Sequence, residues 1–344
     1  MKLACLSFQY RSIANCCPLT FCCRSIALKW LLVVFWVVSN CALASDDACP
    51  FNRLTDQVYF IAGSNAQTCP AQKLQHPVTN PVAIIGQTGV VLVDPGSSEA
   101  VGKLVLYQLS KITDKPVVAI INTHIHGLYW LANHAIKLRY PALKIYAHPR
   151  MIQRINNGEG QAWIDQFFPQ QATGSSAAFS APEISLEDGE ILNLNGVMLK
   201  IHEFSHAHTD HDVAIEIVKD KILIVGGLVV EPEVPSQGVP QDANFKGQMA
   251  AIQRIIDMQM RSYIPGQGYP QGAQLPRRSL QFLSAIYDSV KRGYGAGMED
   301  YEITAQLKLE LAHFTKWYDF SALGRVVSEI WLQVEQDDFS PDNS

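Results

Sequence analysis

VVAIINTHIHGLYW, residues 117–130, carries the reading of the fold and raises the functional question. Val117 to Asn122 is a nearly all-apolar run, the signature of a strand buried on both faces. Two histidines, His124 and His126, follow at its carboxyl end. Upstream, Val90–Val93 reads as a strand ending at Asp94 and a Pro-Gly turn, and Val101, Leu104, Val105, Leu109 and Ile112 fall at helical spacing. Strand, helix and buried strand make a β-α-β unit, and open α/β sheets gather their ligands at the carboxyl ends of such strands.

The pattern continues on both sides. Ala83–Gly86 and Val90–Val93 predict a hairpin, preceded by a strand in VYFIAG (58–63). Leu143–Ala147 reads as a strand, and His148–Ile155 as the start of a helix. GSSAAFSAPE (174–183) is a small-residue loop. VMLKIHEF (197–204), DVAIEIV (212–218) and KILIVGG (221–227) have the spacing of an antiparallel meander. An amphipathic helix over 243–260 and a short strand, SYIPG (262–266), come next, and from Pro276 the chain reads helical with breaks at Gly293 and Gly295. These readings predict one sandwich-like α/β domain over 45–275 and a helical C-terminal extension over 276–344.

Residues 1–44 differ in composition. They hold Lys2, Arg11, Arg24 and Lys29 with no acidic residue, then WLLVVFWVV (30–38), then SNCALA before Ser45. This predicts a secretory signal peptide cut after Ala44. The alternative, a membrane anchor, is disfavoured because the apolar run falls short of the roughly 18 residues a spanning helix needs. A lipid-modified Cys41 is disfavoured by the bulk of Asn40. The mature chain is thus expected to be exported across the inner membrane to the periplasm, with no stable membrane anchor. Loss of the four basic residues takes the formal net charge from −5 to −9, a poor match for polyanions, so nucleic acid is not an expected partner. Six of the eight cysteines lie in the removed segment. Cys49 and Cys69 remain, and an oxidising compartment predicts that they pair, the alternative being two free thiols. Both lie upstream of every chemical motif, so a metal here would be held by nitrogen and oxygen.

On an extended segment, residues i and i+2 point the same way, so His124 and His126 can reach one ion; as a pair they are equally a pair of exposed loop histidines. HEFSHAHTDHD (202–212) adds His202, His206, His208 and His211, again at a strand end. Six of the chain's ten histidines therefore sit in two strand-end segments, which packing does not account for. Three neutral imidazoles with an open fourth position are the arrangement of a catalytic zinc.

Five segments in order, LVDPG (92–96), THIHGLY (123–129), AHTDHDVAI (207–215), VGGLVV (225–230) and IPGQGY (264–269), resemble the motifs of the metallo-β-lactamase superfamily over residues 57–269. The resemblance implies an αββα sandwich with the metal site along one edge. Members carry a first site of three histidines, matched here by His124, His126 and His208, and His202 or His206 would replace His208 if the register differs. The second-site positions hold Leu128, Tyr129, Gly227 and Gln267, none a zinc ligand. What the resemblance implies is one Zn2+ per chain and an exported mono-zinc metallohydrolase cleaving a small ester, thioester or lactone through a zinc hydroxide. Candidate catalytic residues are His211 and Asp210 as bases, and Tyr129 and Gln267 as hydrogen-bond donors; Leu128 and Tyr129 equally read as fillers of the volume left by the second ion. Asp94 is assigned a supporting role. The C-terminal helices also resemble those of periplasmic, quinoprotein-associated zinc metallohydrolases. The alternative reading is a catalytically inactive member of the fold that binds a small ligand or a periplasmic protein partner. EPEVPSQGVPQ (231–241) reads as a proline-rich rim or a plain connection.

Overall fold

The computed structural model describes residues 48–63, 65, 67–69, 78–168, 178–231, 244–314 and 320–339. The expected signal segment and nearly all of the proline-rich loop lie outside them. Seven strands form one sheet in chain order: β1 (Phe51–Arg53), β2 (Val58–Ile61), β3 (Val82–Ile85), β4 (Val90–Val93), β5 (Val117–Ile121), β6 (Lys144–Ala147) and β7 (Ile184–Ser185). The first four pair antiparallel, and β4 to β7 run parallel. A second sheet has the order β12-β11-β10-β9-β8. In it β8 (Ile191–Leu194), β9 (Val197–Ser205), β10 (His211–Ile217) and β11 (Ile222–Val230) are the predicted antiparallel meander with one added strand. β12 (Ser262–Gln267) lies parallel to β11.

Alternation along the strands assembles the sandwich. Val58, Phe60, Val82, Ile84, Val91, Val93, Ala119 and Ile121 of the first sheet meet Leu199, Ile201, Val213, Ile215, Ile222 and Ile224 of the second in one buried core. Neighbours of opposite parity on the second sheet, Phe204, Ala214, Leu223, Val225 and Tyr263, face the other way into a second core. A one-residue slip would exchange the two sets, and each buried Val or Ile contributes about 1.5–3 kcal/mol, so the register is firmly specified.

Helices cover both outer faces. The β4–β5 crossover is α1 (Glu99–Ser110), capped by Ser98, whose side chain accepts from Val101 N. It packs closely on α3 (Asn133–Arg139), where a Cβ on Gly102 would come within 2.7 Å of Ala135 Cβ. Between them lies the one-turn α2 (Gly127–Trp130), and α4 (Pro149–Arg154) and α5 (Gly160–Phe167) follow β6. α6 (Phe245–Asp257), α7 (Gln274–Gly295), α8 (Asp300–Glu310) and α9 (Leu323–Phe339) bury Phe245, Ile255, Phe282, Ile286, Leu307, Val327 and Ile330 in the second core. This is the expected αββα sandwich with a C-terminal helical region.

Cys49 and Cys69 are joined in a disulfide, both fully buried. Three short strands, β1, β7 and β8, were not predicted. Gly293 does not break its helix: its missing Cβ makes room for Ile303 of α8, 2.6 Å from where that atom would stand, and α7 ends at Gly295. No helix among the described residues is long and apolar enough to cross a membrane.

Candidate metal centre

The segment Asn122–His126 leaves β5 and enters α2, with His126 at the helix N-cap in extended conformation. Side-chain bonds lock it: Trp130 Nε1 donates to Ile125 O (2.7 Å), and the amides of Asn122 and Asn133 bond each other. Thr123 O accepts from Val213 N (2.9 Å), which ties this segment directly to β10. His208 lies in the tight turn between β9 and β10, closed by His206 N to Asp210 O and Ala207 N to Thr209 O, both 2.9 Å.

The three rings of His124, His126 and His208 stand mutually close to perpendicular, at 80–82°, with centroids 4.8–4.9 Å apart. Each brings a nitrogen to within 4.8 Å of the others. His126 Nδ1 lies 3.0 Å from His208 Nε2, while His124 Nε2 and His126 Nε2 are buried without a hydrogen-bond partner. Buried orphan nitrogens are costly, and converging lone pairs on neutral imidazoles fit a zinc-like ion.

The surroundings hold the rings neutral and correctly turned. Burial, with His208 and His126 beside it, pushes His124 well below its ordinary pKa. Burial and then the Arg154 charge lower His126 to about 3. Asp94, itself at φ +49°, accepts from Thr123 N (2.9 Å) and Thr123 Oγ1 (2.7 Å). With its proton given to Asp94, Thr123 Oγ1 accepts from His124 Nδ1 (2.8 Å), so the network assigns the ring proton to Nδ1 and the lone pair to Nε2. Burial raises Asp94 to about 7 against the pull of the two Thr123 bonds.

A matching clamp holds His208. Asp212 accepts from Thr209 N (2.8 Å) and Thr209 Oγ1 (3.0 Å), and burial raises it to about 7 against those same bonds. Sequence reasoning missed Thr123, Thr209 and Asp212 as supports; the signal available was a threonine adjoining a histidine ligand on each loop.

The other expected residues divide. Tyr129 is buried with its ring 4.2 Å from His124, and its carbonyl accepts from Gly96 N. Gln267, at the end of β12, donates to Val78 O (3.2 Å). Leu128 lends its carbonyl to Thr79 Oγ1 (3.2 Å). Gly227 on β11 lies against His208 and His124 with no side chain between. Asp210 is bound by Arg154 Nη1 (2.6 Å) and Arg150 Nε (3.2 Å); burial works against its ionisation, but Arg154 and then Arg150 hold it below the usual range. His211 stands with His148 and Glu203 rather than with the three rings. His202 pairs with Glu216 at 2.8 Å, and His206, at φ +50°, lies 6.0 Å from the His211 ring. Of the four histidines in 202–212, only His208 joins His124 and His126.

Comparison with known proteins bears on this geometry. A linear primary-alkylsulfatase of Pseudomonas sp. (strain ATCC 19151) is 21% identical over 267 residues, 67% of this chain and 50% of the sulfatase. The chain therefore spans about half the length of the curated relative it matches. Among solved structures, the stereoselective inverting sec-alkylsulfatase Pisa1 from Pseudomonas sp. superposes with a TM-score of 0.62 at 15% identity, over 83% of this chain and 50% of Pisa1. A metallo-beta-lactamase from Pontibacter korlensis gives a TM-score of 0.51 at 17% identity, over 68% of this chain and 98% of its own. At these identities the structural likeness establishes the fold alone. The family model of the metallo-beta-lactamase superfamily matches residues 77–276, a span that takes in every ligand-bearing segment described above, and the chain belongs to that superfamily.

Proposed function

We propose that this chain is an exported mono-zinc hydrolase, its ion held by His124, His126 and His208, acting on a small ester-type substrate. One observation carries the reading: His124, His126 and His208 bring their nitrogens to within 4.8 Å of one another in a buried group. Three neutral imidazoles with an open fourth position are the arrangement of a catalytic zinc. When bound, such an ion supplies Lewis acidity and brings the pKa of water toward neutrality.

The chain's own residues do the rest. Thr123, with Asp94 behind it, turns His124 Nε2 toward the centre. Tyr129 covers the His124 side, and Gln267, whose Nε2 donates to Val78 O, is the candidate donor to a substrate oxygen. Asp210, held as an anion by two arginines, anchors the loop rather than taking a proton. The likeness to alkylsulfatases adds sulfate esters to the carboxylic esters, thioesters and lactones considered above. Export is supported by the composition of residues 1–44 and by the disulfide.

The Tyr129 ring over His124, with Leu128 beside it, also favours a second reading: a silent member of the fold that binds a small ligand or a periplasmic protein. Native mass spectrometry of the mature chain should show one tightly held zinc that His124→Ala removes. A panel of esters, thioesters, lactones and alkyl sulfates should include one whose hydrolysis His126→Ala abolishes. No zinc at any concentration, or two ions that both leave with His124→Ala, overturns the metal assignment. One zinc with silence across the panel moves the chain to the second reading.

A further inference from the structure

Outside the three-histidine group, the described residues hold one other cluster with metal-ligating chemistry, His148, Glu203 and His211. Their donor atoms all lie within 4.8 Å of one another. Glu203 turns one oxygen to each ring: Oε2 is 3.4 Å from His148 Nε2, and Oε1 is 3.9 Å from His211 Nε2. The two rings stack at 17° with centroids 4.4 Å apart, so both Nε2 atoms meet one carboxylate. Donors around a tetrahedral zinc with bonds of about 2.0–2.2 Å lie roughly 3.3–3.6 Å apart. The two Glu203 distances exceed this range by at most a few tenths of an ångström, and the stacked rings must swing out of parallel to aim both Nε2 lone pairs at one ion.

We infer that His148, Glu203 and His211 form a second, separate site for a divalent transition ion such as zinc. Glu203 lies two residues before the end of β9 and His211 opens β10, so they flank the turn that carries His208. His148 comes from the β6–α4 junction of the other sheet. A bound ion therefore clamps the ligand turn of one sheet to the edge of the other. Two imidazoles and a carboxylate suit zinc rather than calcium or magnesium, which take oxygen ligands. The side chains of His148, Glu203 and His211 are 10%, 25% and 24% exposed, so the ion has a route from solvent and water can complete its shell.

Neighbouring groups are arranged for the role, with one competing bond. His211 Nδ1 is buried without a hydrogen-bond partner, and Asp210 Oδ2 stands 3.6 Å away, so a small turn of the ring lets Nδ1–H donate to that carboxylate and leaves the lone pair on Nε2. Ser205 Oγ donates to Glu203 Oε1 (2.8 Å) and steadies it. His148 Nδ1, however, accepts from Arg150 N (3.1 Å) as the cap of α4, which in a neutral ring puts the proton on Nε2. Binding shifts that proton to Nδ1 and releases the Arg150 amide. The site is consequently weaker than the three-histidine centre.

Zinc alone, titrated into the mature chain without an affinity tag and followed by native mass spectrometry and calorimetry, tests this. The expected result is two ions, the second at least tenfold weaker. The second is lost in Glu203→Gln and in His211→Gln, while the first stays. In His126→Ala only the second remains. Filling it should raise Tm in wild type and not in Glu203→Gln, with circular dichroism confirming that the variants fold. A wild type that takes up one ion, kept by both Gln variants, overturns the proposal, as does a second ion that survives both substitutions. If Glu203→Gln binds none while His126→Ala keeps every ion of the wild type, this site stands and the three-histidine assignment fails.

Discussion

A Cβ at Gly227 would come within 2.2 Å of His208 Cδ2, 2.4 Å of His208 Nε2 and 3.0 Å of His124 Cε1. Both rings are buried and packed, so they cannot yield cheaply. Gly227→Ala is expected to leave the sheet intact by circular dichroism and to lower zinc affinity more than tenfold in a chelator competition; wild-type affinity would mean that the rings do not press on β11. His126 gives a second prediction, with its sign fixed by burial. Its folded pKa, about 3, lies below the unfolded value near 6.5, so the unfolded chain gains a proton first as pH falls. His126→Gln lacks that penalty. In metal-free protein the stability of His126→Gln relative to wild type should therefore rise as pH drops from 6.5 toward 3, which urea unfolding at pH 7 and pH 4.5 measures. At this scale the sequence disclosed His124 and His126, because two residues apart on an extended segment is a direct statement about direction. It could not place His211, because His206 at φ +50° interrupts the alternation by which its direction would be counted.

Two loops are built on one plan: a buried aspartate grips a threonine that adjoins a ligand histidine, as Asp94 with Thr123 and Asp212 with Thr209. The plans differ in one contact, since Thr123 Oγ1 also touches His124 Nδ1 and no such bond joins Thr209 Oγ1 to a ligand ring. Thr123→Val and Thr209→Val each strand a carboxylate oxygen and should cost about 1–3 kcal/mol in metal-free protein. Only Thr123→Val also frees the His124 tautomer, so its zinc affinity should fall 10–100-fold, and Thr209→Val less. Equal losses in isothermal titration would remove the tautomer argument. The strands that position these loops were legible because β5, β10 and β11 are continuously apolar or alternate cleanly. β1 and β7 escaped because three and two residues carry no period, and β8, ILNL at the sheet edge, is half in solvent. Asp94 was expected as a support from the family resemblance, but its counterpart Asp212 escaped, since an Asp at the head of a strand reads as a turn residue until the fold buries it.

Across the whole molecule, the C-terminal helices are not an appendage. Phe282 of α7 packs at 5.0 Å from Phe314 and shares a core with Phe204, Leu223, Val225 and Tyr263 of the second sheet, the sheet that also presents His208. The helical character past Pro276 was legible from spacing, but which face of the sandwich it covers was not, because that depends on the parity of strands more than fifty residues upstream. A core shared in this way makes a prediction about cooperativity. Phe282→Ala removes a fully buried ring and should cost about 3–5 kcal/mol. If helices and sheet form one cooperative unit, urea unfolding of the chain from Ser45 onward by tryptophan fluorescence and by far-ultraviolet circular dichroism gives coincident transitions in wild type and variant, both shifted together by the substitution. Zinc affinity should then fall only near the new midpoint, where the sheet itself unfolds. Two separated transitions, with zinc retained after the first, would show instead that the helices melt from a sandwich that stands without them.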